Sequence, residues 1–341
     1  MTAPADRPLR IAVAGAGAIG TVLAARLARA GHAVHVLARG DTLDAIRRRG
    51  LRLEDAAGTT ETAVAAGERA DFGPMDVVFL CVKSHQLPAL APSIAGLVAP
   101  ETLVVPILNG VPFWYFHREG GRFEGRTVEA VDPGGALMRH LPPDQLIGAV
   151  TFITAECPAP GHAVARNPHL LMLGEPANGI SPRLRSLCAV LDAAGVEARP
   201  IERIRDKLWT KIVANLTSNP LSVVTGATLE AIYGRADLLP TVRAVMLEAM
   251  LAAACHGARM TVDPIEFLEL GRAMGPVRTS MLQDAERGRP LELAAIGDAV
   301  LELADLYRLP MPATRALLAQ AHAFRPTRTP RAVQTSLENP V

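Results

Sequence analysis

The sequence predicts an α/β protein in two parts: an N-terminal half built on a parallel sheet covered by helices, then an all-helical C-terminal half. Three observations carry this. From residue 9 to about residue 108, short apolar runs alternate with helical periodicities, the pattern of parallel strands joined by helical crossovers. A glycine-spaced turn, Gly15-Ala16-Gly17-Ala18-Ile19-Gly20, stands between the first apolar run and the first helix. After Pro200 the strand signals stop and long helical periods replace them.

The elements follow in order. Leu9 to Ala14 reads as a buried strand and Ala18 to Ala30 as a helix closed by Gly31. Ala33 to Ala38 is the second strand, and Asp41 is expected to cap a short helix ending at Arg49. Leu51–Glu54 and Thr60–Ala65 form a strand pair around Ala57-Gly58. Asp76–Val82 is a strand, Gln86–Leu97 a helix, and Thr102–Leu108 a strand ending at Asn109-Gly110. Between Thr127 and Leu173, Pro and Gly turns separate strands expected to extend the fold antiparallel. Pro182–Ala194 is a helix. Beyond Pro200 the expected helices are Arg203–Asn219, stopped by Pro220, then Leu238–Gly257, Pro264–Arg287, Leu291–Tyr307 and Ala313–Phe324. Residues 1–200 and 201–325 are therefore read as two domains. Residues 326–341, rich in Pro, Thr and Arg, read as a disordered tail.

Composition narrows the function. With 341 residues, 49% of them apolar, the chain can fill two cores. Lys plus Arg number 35 and Asp plus Glu 34, for a net charge of +1; no basic stripe argues for nucleic acid. No run of about 18 uninterrupted apolar residues argues for a membrane span. Arg7 and Arg10 before the apolar run Ile11–Ala25 have the look of a secretory signal. A signal, however, needs neither fixed glycine spacing nor a strand before it, so a cytoplasmic protein is expected. The four cysteines and nine histidines show no metal-ligand spacing, and no metal is expected. The expected partners are a small molecule and a second copy of the chain in a homodimer.

Gly15, Gly17 and Gly20 make G-x-G-x-x-G in its proper setting, after a strand and opening a helix. The first glycine permits a tight turn, the second lets a pyrophosphate approach the backbone, and the third lets helix and strand pack closely. The helix N-terminus, with Ala18 and Ile19, offers N–H groups to phosphate. The first half is thus read as a Rossmann-like dinucleotide-binding domain. Its second strand ends Leu37-Ala38-Arg39. A carboxylate there would repel a ribose 2′-phosphate and a guanidinium would bind it, so Arg39 argues for NADP(H). The alternative is a solvated Arg39 with Asp41 serving the ribose.

Lys211, Asn215 and Asn219 stand at i, i+4 and i+8, one polar stripe on a helix whose Ile212, Val213 and Leu216 are apolar. Hydride delivery to a ketone leaves alkoxide charge on oxygen, which a nearby ammonium stabilises and protonates. Spacing alone leaves open a surface lysine followed by helix-ending asparagines.

These residues, with several others, resemble one family. The glycine motif, Ala38-Arg39-Gly40, Val82-Lys83-Ser84-His85-Gln86, Leu108-Asn109-Gly110, Leu208-Trp209-Thr210-Lys211 with Asn215 and Asn219-Pro220-Leu221, Thr279-Ser280-Met281-Leu282-Gln283-Asp284, and Glu292 stand in the order and spacing of ketopantoate reductases (2-dehydropantoate 2-reductases). The resemblance runs from about Leu9 to Leu318. It implies NADPH-dependent reduction of a 2-oxo acid to a 2-hydroxy acid, with Lys211 as general acid. It implies substrate contacts from Asn215, Asn219, Ser280 and Asn109, and a glutamate, Glu292, touching substrate and lysine. Lys83, Gln86 and Asn109 would lie near the nicotinamide. From the residues alone, Glu292 could equally be a helix-start carboxylate and Ser280 an ordinary helix serine.

The chain departs from that family at Ala294 and Gly297, where Asp and Asn are common, and at Val277, often Asn. It also carries an aromatic run, Val111-Pro112-Phe113-Trp114-Tyr115-Phe116, readable as a pocket wall beside the nicotinamide or as core. The natural substrate is therefore left open. A relative reducing a bulkier ketone or an imine is the runner-up, and a non-catalytic NADP-binding sensor comes after it.

Overall fold

The computed structural model describes residues 7–166 and 169–325; the expected tail, 326–341, lies outside them. The first half opens β1 (Arg10–Ala14), α1 (Ala18–Arg29), β2 (Ala33–Leu37), α2 (Gly40–Arg49), β3 (Leu51–Asp55), β4 (Gly58–Thr62), β5 (Ala65–Gly67) and β6 (Val77–Leu80). It continues with α3 (Leu87–Leu90), β7 (Leu103–Pro106), α4 (Ala136–His140), β8 (Gly148–Thr151), β9 (Thr154–Ala159), β10 (His162–Arg166), β11 (Leu170–Gly174), α5 (Pro182–Ala193) and β12 (Glu197–Pro200). The helical half holds α6 (Ile204–Thr225), α7 (Leu229–Gly234), α8 (Leu239–Cys255), α9 (Pro264–Ala273), α10 (Ser280–Glu286), α11 (Ala299–Asp305) and α12 (Pro312–Ala323).

The central sheet is five-stranded and parallel, in the order β5-β2-β1-β6-β7. After β1 the chain moves outward to β2, and later returns to the other side of β1 as β6. Between the carboxyl ends of β1 and β6 the strand order reverses, which is where open α/β sheets bind ligands. The apolar run from Ile11 that could have passed for a secretory signal is β1 and the buried face of α1, with Ile11, Val13, Val22, Leu23 and Leu27 fully buried. Among the described residues no helix is long and apolar enough to cross a membrane.

Several local expectations change. Arg39, not a side-chain-capping Asp41, occupies the N-cap of α2; Asp41 lies in its first turn. The run after Gly58 splits, β4 pairing with β3 and β5 joining the central sheet beside β2. Pro88 and Pro92 break the expected helix over 86–97 into 3-10 turns flanking the single turn of α3. The expected antiparallel extension is two further sheets, β4-β3-β10-β9 and β12-β11-β8, each mixing parallel and antiparallel pairs. Gly275-Pro276 divides the expected helix over 264–287 into α9 and α10, with the N–H groups of Glu230 and Leu229 bonded to the exposed carbonyls of Gly275 and Val277.

The largest correction is Pro220, which does not stop α6; the helix runs on to Thr225 and ends at left-handed Gly226. A proline inside a helix costs about 3 kcal/mol locally. Here Pro220 is buried with Leu216, Leu221 and Val223, and the hydroxyls of Thr217, Ser218, Ser222 and Thr225 donate to nearby helix carbonyls. Burial of that apolar face outweighs the missing bond.

The aromatic run is core, not a pocket wall. Phe113, Trp114, Tyr115 and Phe116 are each at most 2% exposed. They pack against α6, where Trp209 Nε1 donates to the Tyr115 hydroxyl at 2.7 Å. Buried Arg205 donates to the carbonyls of Tyr115, Pro176 and His117, so α6 is pinned to the first half along its buried face.

Candidate active site

The glycine turn behaves as its spacing implies. Gly15 has φ +106°, and a Cβ there would lie 2.7 Å from the Cys81 carbonyl oxygen at the end of β6. A Cβ at Gly20 would come within 1.9 Å of the Gly15 oxygen, so helix and turn meet with no room for a side chain. A Cβ at Gly17 would meet nothing within 4 Å: the space over the turn is open where a phosphate would approach. Gly17 is the N-cap of α1, with no side chain capping it and no acidic residue in the first turn. The N–H groups of Ala18, Ile19 and Gly20 begin the helix without intrahelical acceptors and face that space with the positive end of the helix dipole. Arg39 is exposed at the end of β2, and its guanidinium makes no hydrogen bond or ion pair among the described residues. Gly15 N donates to Leu37 O at 3.0 Å, which sets this strand end beside the turn. These residues fit a dinucleotide with a 2′-phosphate.

Beyond the end of β6 the chain delivers Lys83 to a buried acidic pair from the helical half. Its Nζ lies 3.0 Å from Glu292 Oε2 and 2.9 Å from Asp284 Oδ2. Glu292, 5% exposed, also accepts from Ser84 N at 3.1 Å. Burial pulls the Lys83 pKa down, but the two carboxylates outweigh it and hold it above the ordinary lysine value. Gln86 Oε1 closes the same turn by accepting from Lys83 N at 3.1 Å. A further tie runs from Gly110, φ +80°, where a Cβ would lie 2.1 Å from Ala295 O, and Val111 N donates to that oxygen at 2.8 Å. Gly110 and Val111, which follow Asn109, are thereby held against the π-turn Ala294–Asp298 that follows Glu292.

Lys211 sits on α6 facing this cluster, close enough to Glu292 to feel its charge. Its Nζ donates to Thr151 O at 2.5 Å, not to Glu292. Part of the side chain still meets solvent, yet the protein around the ammonium lowers its pKa from 10.5 to about 8, with Glu292 opposing the shift. Desolvation disfavours the charged form, and the one carbonyl partner does not offset it. Asn215 is half-buried and Asn219 4% exposed, and Asn219 Oδ1 is buried with no partner among the described residues. No side-chain hydrogen bond holds Asn109, Asn215 or Ser280 among the described residues; Ser280 is exposed at the start of α10, just past its N-cap Thr279. A buried amide oxygen without a donor is costly, and a polar ligand would supply one.

The family departures separate. Gly297 does not face the cleft: a Cβ there would lie 2.4 Å from Leu318 Cδ2 of α12. Ala294 borders a groove of about 400 Å³ with His322 and Phe324, and Val277 is exposed between α9 and α10. Sequence reasoning passed over Asp284, although its place one helical turn after Ser280 was a usable signal. It also missed the Thr151 carbonyl and Phe152, which no spacing rule marks.

A parallel sheet with an open glycine turn at its switch point, faced by a helix carrying a desolvated amine, is the build of a nicotinamide-dependent carbonyl reductase. Comparison with known proteins gives the family. The chain matches the ketopantoate reductase PanE/ApbA model over residues 11–178 and the ketopantoate reductase PanE/ApbA C-terminal model over residues 203–325. It is 40% identical over 313 residues to a 2-dehydropantoate 2-reductase of Mesorhizobium japonicum, covering 91% of this chain and 96% of that one. A crystal structure from Ralstonia solanacearum MolK2, provisionally assigned as a ketopantoate reductase, superposes with a TM-score of 0.88 at 39% identity, over 92% of this chain and 97% of that one. The 2-dehydropantoate 2-reductase of Geobacter metallireducens GS-15 gives 0.81 at 28% identity, over 92% and 99%. The chain belongs to the ketopantoate reductase family, whose function is NADPH-dependent reduction of a 2-oxo acid.

Proposed function

We propose that this chain reduces 2-dehydropantoate, or a close 2-oxo acid analogue, to the 2-hydroxy acid, with Lys211 as proton donor. NADPH supplies the hydride when bound. The chain's residues do the rest. The glycine turn and the N–H groups of Ala18, Ile19 and Gly20 hold the pyrophosphate, and Arg39 holds the 2′-phosphate. As the carbonyl carbon gains hydride, the oxygen takes a proton from Lys211 Nζ, leaving a neutral amine that solvent recharges.

The contrast between the two lysines carries this reading. Lys83 is held charged by two carboxylates, whereas the Lys211 pKa of about 8 lets it give and regain a proton near neutrality. Asn215, Asn219, Ser280 and Asn109 supply the hydrogen-bonding groups that a carboxylate and hydroxyl-bearing substrate would use. Glu292 and Asp284 position Lys83, and Glu292 keeps negative charge near Lys211.

The test is NADPH oxidation by the purified protein over 2-oxo acids, simple ketones and imines. Turnover of 2-dehydropantoate above all ketones and imines supports the reading; cofactor binding with no turnover on any carbonyl would favour a sensor. The same reading takes the chain as a cytoplasmic enzyme in two domains divided near residue 200. It also takes it as a homodimer, for which Leu247 and Leu251 on α8 and Ile265 and Leu270 on α9 are large apolar side chains left exposed. Light scattering of the purified chain measures its mass.

A further inference from the structure

Phe152 is a large apolar side chain left in solvent beside the candidate proton donor. It is 38% exposed, while its neighbours Thr151 and Ile153 are buried. It lies on the two-residue link between β8 and β9. Its N–H donates to Leu170 O at 2.8 Å, so the sheet fixes the backbone from which the ring projects. The centroid of that ring is 5.8 Å from Lys211 Nζ, and the same ammonium is held by the carbonyl of the preceding residue, Thr151. Lysine and ring are therefore positioned by one short piece of backbone.

This juxtaposition has a consequence for the substrate. A carbonyl oxygen receiving a proton from Lys211 must sit about 3 Å from Nζ. The groups carried by that carbonyl then fall within reach of apolar surface whose centre is under 6 Å from the same nitrogen. A carboxylate would have polar side chains to go to on α6 and α10, which leaves the exposed ring as the apolar surface near Nζ for the other substituent.

We infer that Phe152 is a specificity-determining residue that packs against the apolar substituent at C3 of a 2-oxo acid, so that the site favours acids with a branched or aryl C3 over one with a methyl group. This rests on the 2-oxo acid reading above and deepens it.

The experiment compares kcat/KM with NADPH for the unaltered chain, Phe152→Ala and Phe152→Leu on three 2-oxo acids bearing methyl, tertiary-alkyl and phenyl groups at the carbonyl. The expected result is that the unaltered chain prefers the two bulky acids. Phe152→Ala should then lose about ten-fold on each of them, the size of an apolar contact in a pocket, mostly in KM, with the methyl acid nearly unchanged. Phe152→Leu should recover the tertiary-alkyl acid. An equal loss on all three acids, or no loss on any, would overturn the inference and leave the proposed reaction standing. No turnover of any 2-oxo acid by the unaltered chain would overturn the reaction itself, and the inference with it.

Discussion

Replacing Lys211 with methionine should make the protein more stable and nearly inactive. The protein lowers this lysine's pKa from 10.5 to about 8, and at 1.36 kcal/mol per pH unit that is about 3 kcal/mol. Its cause is burial of the charged form, so the charge weakens the fold. The penalty is fully present below about pH 8 and is relieved between about pH 8 and 10.5, where the unfolded chain binds more protons and stability rises with pH. Solvent reaching part of the side chain screens it, so a gain of about 1–3 kcal/mol at neutral pH is expected from Lys211→Met, which keeps the chain length without the charge. Turnover should fall on the order of 10²–10⁴-fold for a lost general acid. In the unaltered enzyme, reduction should decline as pH rises through about 8, and oxidation of the 2-hydroxy acid should rise over the same range. Lys211→Arg should remove that limb, since a guanidinium does not give up its proton there. Urea unfolding at pH 7 and 10, with pH–rate profiles in both directions, makes the measurement. A destabilised Lys211→Met, or an unchanged pH limb without the lysine, would refute the reasoning.

Arg39→Ala should weaken NADPH by about ten-fold or more, the worth of one or two charge-assisted hydrogen bonds, and leave NADH nearly unchanged; fluorescence titration of both cofactors reads the difference. Gly17→Ala and Gly20→Ala should fail differently. The first meets open space and should fold normally while losing cofactor affinity. The second meets the Gly15 oxygen and should lower the melting temperature as well. Glu292→Gln leaves Lys83 with one of its two carboxylates and should lower stability and kcat together, with the stability loss smaller at high salt because Lys83 is partly solvated. Asn219→Leu removes an amide oxygen that has no donor among the described residues, so it should raise KM for the 2-oxo acid while leaving the melting temperature level or higher.

Much of this was legible in residue order because the determinants are local. A glycine turn after an apolar run encodes its own geometry, and the excluded Cβ positions at Gly15 and Gly20 are the steric form of that motif. A polar stripe at i, i+4 and i+8 has to share one face of a helix. The failures were also physical. Pro220 ends a helix on local preference, but a buried face reverses the outcome. The run 113–116 could line a cleft or fill a core by pattern alone, and only its packing under α6 chose the core. Gly297 read as a lost polar contact, whereas Leu318 occupies the space a side chain would need.

The sequence by itself determined the α/β-then-helical order, the glycine turn, the cation at the second strand end and the lysine–asparagine stripe, each a pattern within one element or turn. Only the tertiary structure decided how the elements meet. It bound Glu292 and Asp284 to Lys83 across 209 and 201 residues of chain, gave Lys211 a single backbone carbonyl among the described residues, and set the exposed ring of Phe152 beside it. Charge pairing and desolvation depend on distance in space, which residue order does not encode, and they set the two lysines apart, one paired with carboxylates and the other desolvated.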